Sequence, residues 1–149
     1  MAAPKGNSFW KLRSRHGREK IFATPEILWD AACEYFEACV KNPIIKVEWV
    51  GGMAKRVNRP IDRPFTLTGM CVFLDVNSKY FIELKEREKD SDNGFTEVIT
   101  RIEETIYSQK FSGAAAGIFN ANIIARDLGL ADKKDITERT IHVEVEEDE

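Results

Sequence analysis

Residues Phe95–Leu130 read FTEVITRIEETIYSQKFSGAAAGIFNANIIARDLGL, and the rest of the chain is organised around them. Val98, Ile102 and Ile106 recur every fourth position, flanked by Phe95, Ile99 and Tyr107, so the first half is an amphipathic helix with one apolar stripe. A helix from Phe95 to Phe111 would be about 25 Å long at about 1.5 Å per residue. Six small residues follow, Ser112-Gly113-Ala114-Ala115-Ala116-Gly117, which let two backbones approach closely and permit a bend. Ile118, Phe119, Ile123, Ile124 and Leu128 continue a helical pattern, and Gly129 suits the left-handed residue that ends a helix. The stretch therefore predicts a pair of long antiparallel helices with a tight junction. So apolar a pair asks for more partner surface than a small monomer supplies. Ile102, Ile106, Gly113, Gly117, Ile118 and Ile123 are its candidate oligomerisation residues; the alternative is a helical hairpin inside one bundle.

Upstream, residues 65–87 read FTLTGMCVFLDVNSKYFIELKER. Thr66 or Thr68 can cap a short helix carrying Leu67, Met70, Cys71, Phe73 and Leu74. Asp75 tolerates the left-handed backbone of a tight helix–helix turn, and Ser78 can cap a second helix with Phe81 and Leu84 inward. Residues 66–87 thus have helix-turn-helix spacing, with Lys79, Tyr80 and Lys85 as candidate DNA contacts. Two short packed helices without nucleic acid produce the same pattern, and Glu83, Glu86 and Glu88 would repel phosphate. Before this unit, Thr24-Pro25-Glu26 opens a helix with an apolar face from Ile27 to Cys39, stopped by Asn42-Pro43. Ile44 to Val50, turned by Gly51-Gly52 and returned by Met53 to Val57, predicts a β-hairpin over 44–57. Pro60 and Pro64 then mark a linker.

The termini differ sharply in charge. Residues 1–20 carry Lys5, Lys11, Arg13, Arg15, Arg18 and Lys20 against Glu19, a net +5, and form a flexible basic arm with Phe9 and Trp10 as aromatic anchors. Those six cations are candidate DNA contacts, because basic residues interleaved with aromatics suit phosphate binding plus stacking. Residues 131–149 carry a net −5, and residues 132–149 comprise a polar linker, one strand and an acidic tail. Thr140 to Glu146 alternates strictly, Ile141, Val143 and Val145 on one face and His142, Glu144 and Glu146 on the other. Such a strand has no mate adjacent in sequence, so it should pair with the hairpin or with its own copies, and copies around an axis can close into a barrel.

At 149 residues the chain suits one domain with appendages, residues 21–131 forming the core between the two termini. A hydrophobic fraction of 43% with 32% charged residues describes a soluble globular protein. No apolar run reaches membrane-span length, so no membrane partner is expected. Three cysteines (Cys33, Cys39, Cys71) without a C-x-x-C pair argue for a reducing compartment. No catalytic site is visible: Gly113 and Gly117 lie among alanines rather than before a Lys-Ser pair, and His16 and His142 lack metal-ligand spacing. A non-catalytic protein with no metal and no cofactor is expected.

The opening MAAPKGNSFWKLRSRHGR, the helix TPEILWDAACEYFE followed by NP, TLTGMCVFLDV and, above all, IYSQKFSGAAAGIFNANIIARDLGL resemble the small terminase subunit of short-tailed, headful-packaging phages of enteric bacteria. The resemblance implies a mainly α subunit with a β-hairpin, assembled as a ring of about nine copies around a channel. It implies binding of double-stranded viral DNA at the packaging-initiation site. It also implies recruitment of a separate large terminase subunit that holds the ATPase and nuclease. The protein would then work in the host cytoplasm and be absent from the mature virion. In that family the end of the chain is strongly basic. Here it is acidic, which moves the expected DNA contact to the N-terminal arm. The other readings are a dimeric helix-turn-helix transcription regulator and a scaffold without DNA affinity.

Overall fold

The computed structural model describes residues 21–130. Five helices and one hairpin follow in order: α1 Pro25–Lys41, β1 Ile44–Val50, β2 Lys55–Ile61, α2 Leu67–Leu74, α3 Tyr80–Glu88, α4 Phe95–Ala115 and α5 Ala121–Asp127. The subunit is mainly helical, with a two-stranded antiparallel hairpin, as the sequence predicts. The basic arm (1–20) and the C-terminal strand and tail (132–149) lie outside the described residues.

Helix α4 is the spine. Phe95, Ile99, Ile102 and Ile106 are buried along it, α1 and α3 pack on it, α2 packs on α1, and Leu28, Met70, Leu74, Phe81 and Leu84 join the same core. The buried line follows the expected stripe through Phe95, Ile99, Ile102 and Ile106, departing from it only at Val98 and Tyr107. Ile99 is buried and Val98 only half so, while Tyr107 is exposed and stacks on Phe111 one turn later (centroids 6.2 Å, rings 6° apart). Arg101 sits over the Trp29 ring at 4.5 Å from its centroid, joining α4 to α1 by a cation–π contact.

Local chemistry sets each boundary. Thr24 caps α1, its Oγ1 accepting from the Ile27 N–H at 3.3 Å, and Asn42 ends it. Thr66, not Thr68, caps α2 by accepting from the Gly69 N–H at 2.9 Å. The Tyr35 hydroxyl donates to the Thr66 carbonyl at 3.1 Å and accepts from its N–H at 3.0 Å. Burial pushes that hydroxyl up to about 12. A Cβ on Gly69 would stand 2.6 Å from Thr66 Oγ1 and 2.7 Å from the Tyr35 oxygen, so only glycine fits there. Thr66→Ala removes the cap but leaves the Tyr35 clip, and thermal unfolding should show a loss of about 1 kcal/mol.

Three boundaries differ from the expected ones. Strand β2 runs to Ile61, so the hairpin spans 44–61 rather than 44–57 and contains Pro60 opposite Ile45. Both strands are edges, where a proline costs no ladder bond if its nitrogen faces outward. Ser78 does not cap α3. Instead the Asn77 carboxamide accepts from the Lys79 N–H at 2.9 Å, an Asx turn that leads into the helix. Helix α4 absorbs Ser112 to Ala115, and α5 begins only at Ala121, capped by Asn120. The second of the expected long helices is therefore seven residues long.

The α4–α5 junction is a Schellman-type ending. The Ile118 and Phe119 N–H groups both donate to the Gly113 carbonyl, at 2.8 and 3.1 Å, with Gly117 at φ +72°. Phe119 packs against Gly113, where a Cβ would run into its ring at Cδ2 and Cε2. The Lys110 ammonium, buried in α4, reaches Asp127 Oδ2 at 2.5 Å and ties the short helix back on the long one. Gly113 thus serves a close approach inside one chain, and Gly117 supplies the left-handed residue of the turn. Asp75, at φ 54°, ψ 50°, takes the left-handed turn expected of it.

Candidate functional site

Three surfaces of the described residues bear on function. The first is the α2–turn–α3 pair. Lys79 is exposed at the start of α3. Tyr80 is half-buried, edge-on to Phe22 (6.2 Å, 67°) and to Phe81 (5.4 Å, 81°). Lys85 is held by Glu103 of α4, with Nζ 2.6 Å from Oε2. Lys89 pairs with Glu86, and Arg87 Nε lies 3.3 Å from Glu88 Oε1. The exposed side of α3 therefore mixes signs, with Glu83 and Glu86 beside the cations, and presents no continuous basic stripe to a phosphate backbone.

The second surface is the hairpin. Its side chains are exposed almost throughout, including Trp49 (67%) and Met53 (97%). Alternation sorts them by face. Ile45, Val47 and Trp49 lie on one with Asn58 and Arg56, and Lys46, Glu48, Lys55 and Arg59 lie on the other with Ile44, Val50 and Val57. The Lys46 ammonium hydrogen-bonds Glu48 (3.1 Å) and holds its carboxyl below the usual range, with Arg59 adding to the effect from 3.7 Å. This charged face looks across a cleft of about 460 Å³ at Ala116, Gly117 and Ile118 of the α4–α5 junction. The foot of the hairpin is fixed. Arg63 Nε donates to the Asn42 carbonyl (2.9 Å), and Gln109 of α4 accepts from the Phe65 N–H (2.9 Å) while donating to the Arg63 carbonyl (3.1 Å). Gln109 was not singled out from the sequence, and no pattern there marks it, since a surface glutamine reads the same.

The third surface is the outer side of α4 and α5. Ile102 (0%) and Ile106 (6%) lie in the subunit's own core, so their stripe is satisfied within one chain, and Gly113 is buried beneath Phe119. Gly117 is exposed and stands in open space. Tyr107, Phe111, Ile118, Ile123 and Leu130 remain exposed, with Ile123 at 65%. The candidates Ile118 and Ile123 are thus brought to the surface, and Phe111, which was not singled out as an interface residue, joins them.

Burial, the leading cause in each case, raises the thiols of Cys33, Cys39 and Cys71, with Asp30 adding to the effect at Cys33. Thiols so placed are poor nucleophiles at neutral pH. Among the described residues no group of three His, Cys, Asp or Glu side chains could hold a metal, and no helix is long and apolar enough to cross a membrane. The candidate DNA contacts Lys5, Lys11, Arg13, Arg15, Arg18 and Lys20 and the strand residues Ile141, Val143 and Val145 lie outside the described residues.

The model of the DNA-packaging protein gp3 family matches residues 17–136, which include all seven elements. The chain belongs to this family. It is also 46% identical, over 142 residues, to the small terminase subunit of Salmonella phage P22, a match that covers 94% of this chain and 85% of that protein. The resemblance read from the sequence motifs is borne out, and it extends well beyond them. The packaging-family match takes in the whole α4–α5 stretch, but it begins after Arg15 and ends before Thr140, so it leaves out most of the basic arm and the alternating strand.

Proposed function

We propose that the chain is a small terminase subunit that assembles as a closed ring of about nine copies. The ring binds double-stranded viral DNA at the packaging-initiation site and recruits a large subunit carrying the ATPase and nuclease. The chain itself is non-catalytic in this reading, works in the host cytoplasm and stays out of the mature virion. One observation carries the assembly. With the core of the subunit complete, Phe111, Ile118, Ile123 and Leu130 still stand exposed along the α4–α5 segment. Exposed apolar groups of this kind on a folded subunit mark protein–protein contact. The mixed charge on α3 counts against the alternative of a dimeric regulator reading DNA with that helix.

Light scattering decides between the readings, since two copies of a 17.0 kDa chain make about 34 kDa and nine make about 150 kDa. Ile123→Glu places a charge in the proposed contact without touching the core, so it should lower the mass toward that of one subunit while the melting of α1–α4 changes little. A ring that keeps its mass with Glu at 123 does not use this surface.

A further inference from the structure

We propose a head-to-tail contact between copies of this chain, in which the Trp49 face of one hairpin covers the exposed α4–α5 surface of the next copy. This contact presupposes the closed ring proposed above. A patch that meets its own copy closes a two-fold dimer, whereas a ring needs two different surfaces on each subunit, one for each neighbour. The outer side of α4 and α5 is one of them. Among the described residues, the other run of exposed apolar groups lies on the hairpin, since Val40, Val72 and Ile82 lie one each on α1, α2 and α3.

The hairpin is turned the wrong way round for a monomer. An antiparallel sheet with one face on its own subunit commonly sets apolar groups inward and ions outward. Here the face toward the subunit's own α4–α5 junction holds Lys46, Glu48, Lys55 and Arg59, four of the hairpin's five ions, and three of these line the cleft. The opposite face holds one ion, Arg56, with Asn58 and with Ile45, Val47 and Trp49, which are exposed at 55%, 43% and 67%. A phosphate backbone calls for several cations, so a face with one cation and a large indole suits a protein surface better. Tryptophan and arginine are the usual anchors of such contacts.

The α4–α5 surface matches that face in chemistry. Tyr107, Phe111, Ile118, Ile123 and Leu130 are exposed there, and the first two stack on each other. Glu104 is exposed in the same row of α4, one turn before Tyr107 and two before Phe111, and offers Arg56 a carboxylate. Within one copy the two surfaces cannot meet, because the cleft sets the hairpin's other face toward the junction. Gln109 of α4 fixes the foot of the hairpin through the Phe65 N–H and the Arg63 carbonyl, so the Trp49 face is held outward, toward a neighbour.

Light scattering on two full-length variants, alone and mixed, tests this. Trp49→Glu spoils the hairpin face and Ile123→Glu spoils the α4–α5 surface. Each alone should take the mass from about 150 kDa toward the 17.0 kDa of one chain. Both residues are exposed, so the helical core of each variant should melt as in the unaltered protein, which separates a lost contact from a lost fold. Mixed in equal amounts, the variants still share one intact pair of surfaces, so they should form a dimer of about 34 kDa and stop there. An unaltered ring whose mass survives Trp49→Glu overturns this contact and leaves the ring standing. A mixture of the two folded variants that stays monomeric overturns it as well. An unaltered protein of about 34 kDa would instead overturn the ring and the contact together.

Discussion

Gly113→Leu is expected to destabilise the folded subunit by at least about 3 kcal/mol, at the top of the range for overpacking a well-filled site. The cause lies within one chain. The carbonyl of Gly113 accepts both N–H groups that end α4, and Phe119 lies where a Cβ would be. A leucine there must expel the Phe119 ring, which breaks the turn and carries α5 away from α4. The Lys110 ammonium is then left buried without Asp127, a further cost. Urea unfolding reads the loss directly. Gly113→Ala should show a smaller loss, and adding Phe119→Ala should recover part of it, since the truncated ring no longer opposes the new methyl. Gly117→Leu acts differently. A Cβ there meets nothing within 4 Å, but φ is +72°, so the loss should be only about 1–2 kcal/mol of backbone strain. Equal losses at the two glycines would show that the contact of Phe119 on Gly113 is not what holds the junction.

Any loss of assembly in these variants follows from a displaced α5 and says nothing about which residues face a neighbour. Ile123→Glu is the substitution that asks that question.

Much of the fold is legible in the sequence because its signals are local. Thr24-Pro25 and Asn42-Pro43 bracket α1, and Asp75 marks a left-handed turn between two helices. Phe81 and Leu84 turn inward as their spacing requires. What stays hidden depends on three-dimensional neighbours. Small residues read equally as a bend between subunits or as a docking place for Phe119, and only the folded turn distinguishes them. Lys110 extends the buried line of Phe95, Ile99, Ile102 and Ile106 by one more turn, but a lysine in that register reads as surface until Asp127 is seen beside it. Lys85 likewise reads as a lone surface cation until Glu103 of α4 is seen beside it. Ile102 and Ile106 show the general difficulty. An apolar stripe reports that something covers it, not whether the cover is the same chain or another.

The largest effect expected concerns DNA. Arg13 and its neighbours give each arm a net +5, and about nine arms around one rim would present on the order of 45 positive charges to a duplex. Each phosphate neutralised releases counterion, so affinity should fall steeply with salt, with a slope set by the number of contacts. Alanine at Lys11, Arg13, Arg15 and Arg18 together should weaken binding to any duplex by at least about 100-fold at low salt and flatten the slope. Alanine at Lys79 and Lys85 should act differently. Lys85 already spends its charge on Glu103, so non-specific affinity should barely change, and any loss should appear only on packaging-site DNA. The hairpin is the competing surface, since Arg56 stands exposed opposite Trp49 and Lys55 opposite Val50. Salt titrations of the unaltered protein, the arm variant, the α3 variant and a Lys55→Ala/Arg56→Ala variant separate the three. An arm variant that keeps both affinity and slope, while the hairpin variant loses them, would move the DNA from the arms to the hairpins.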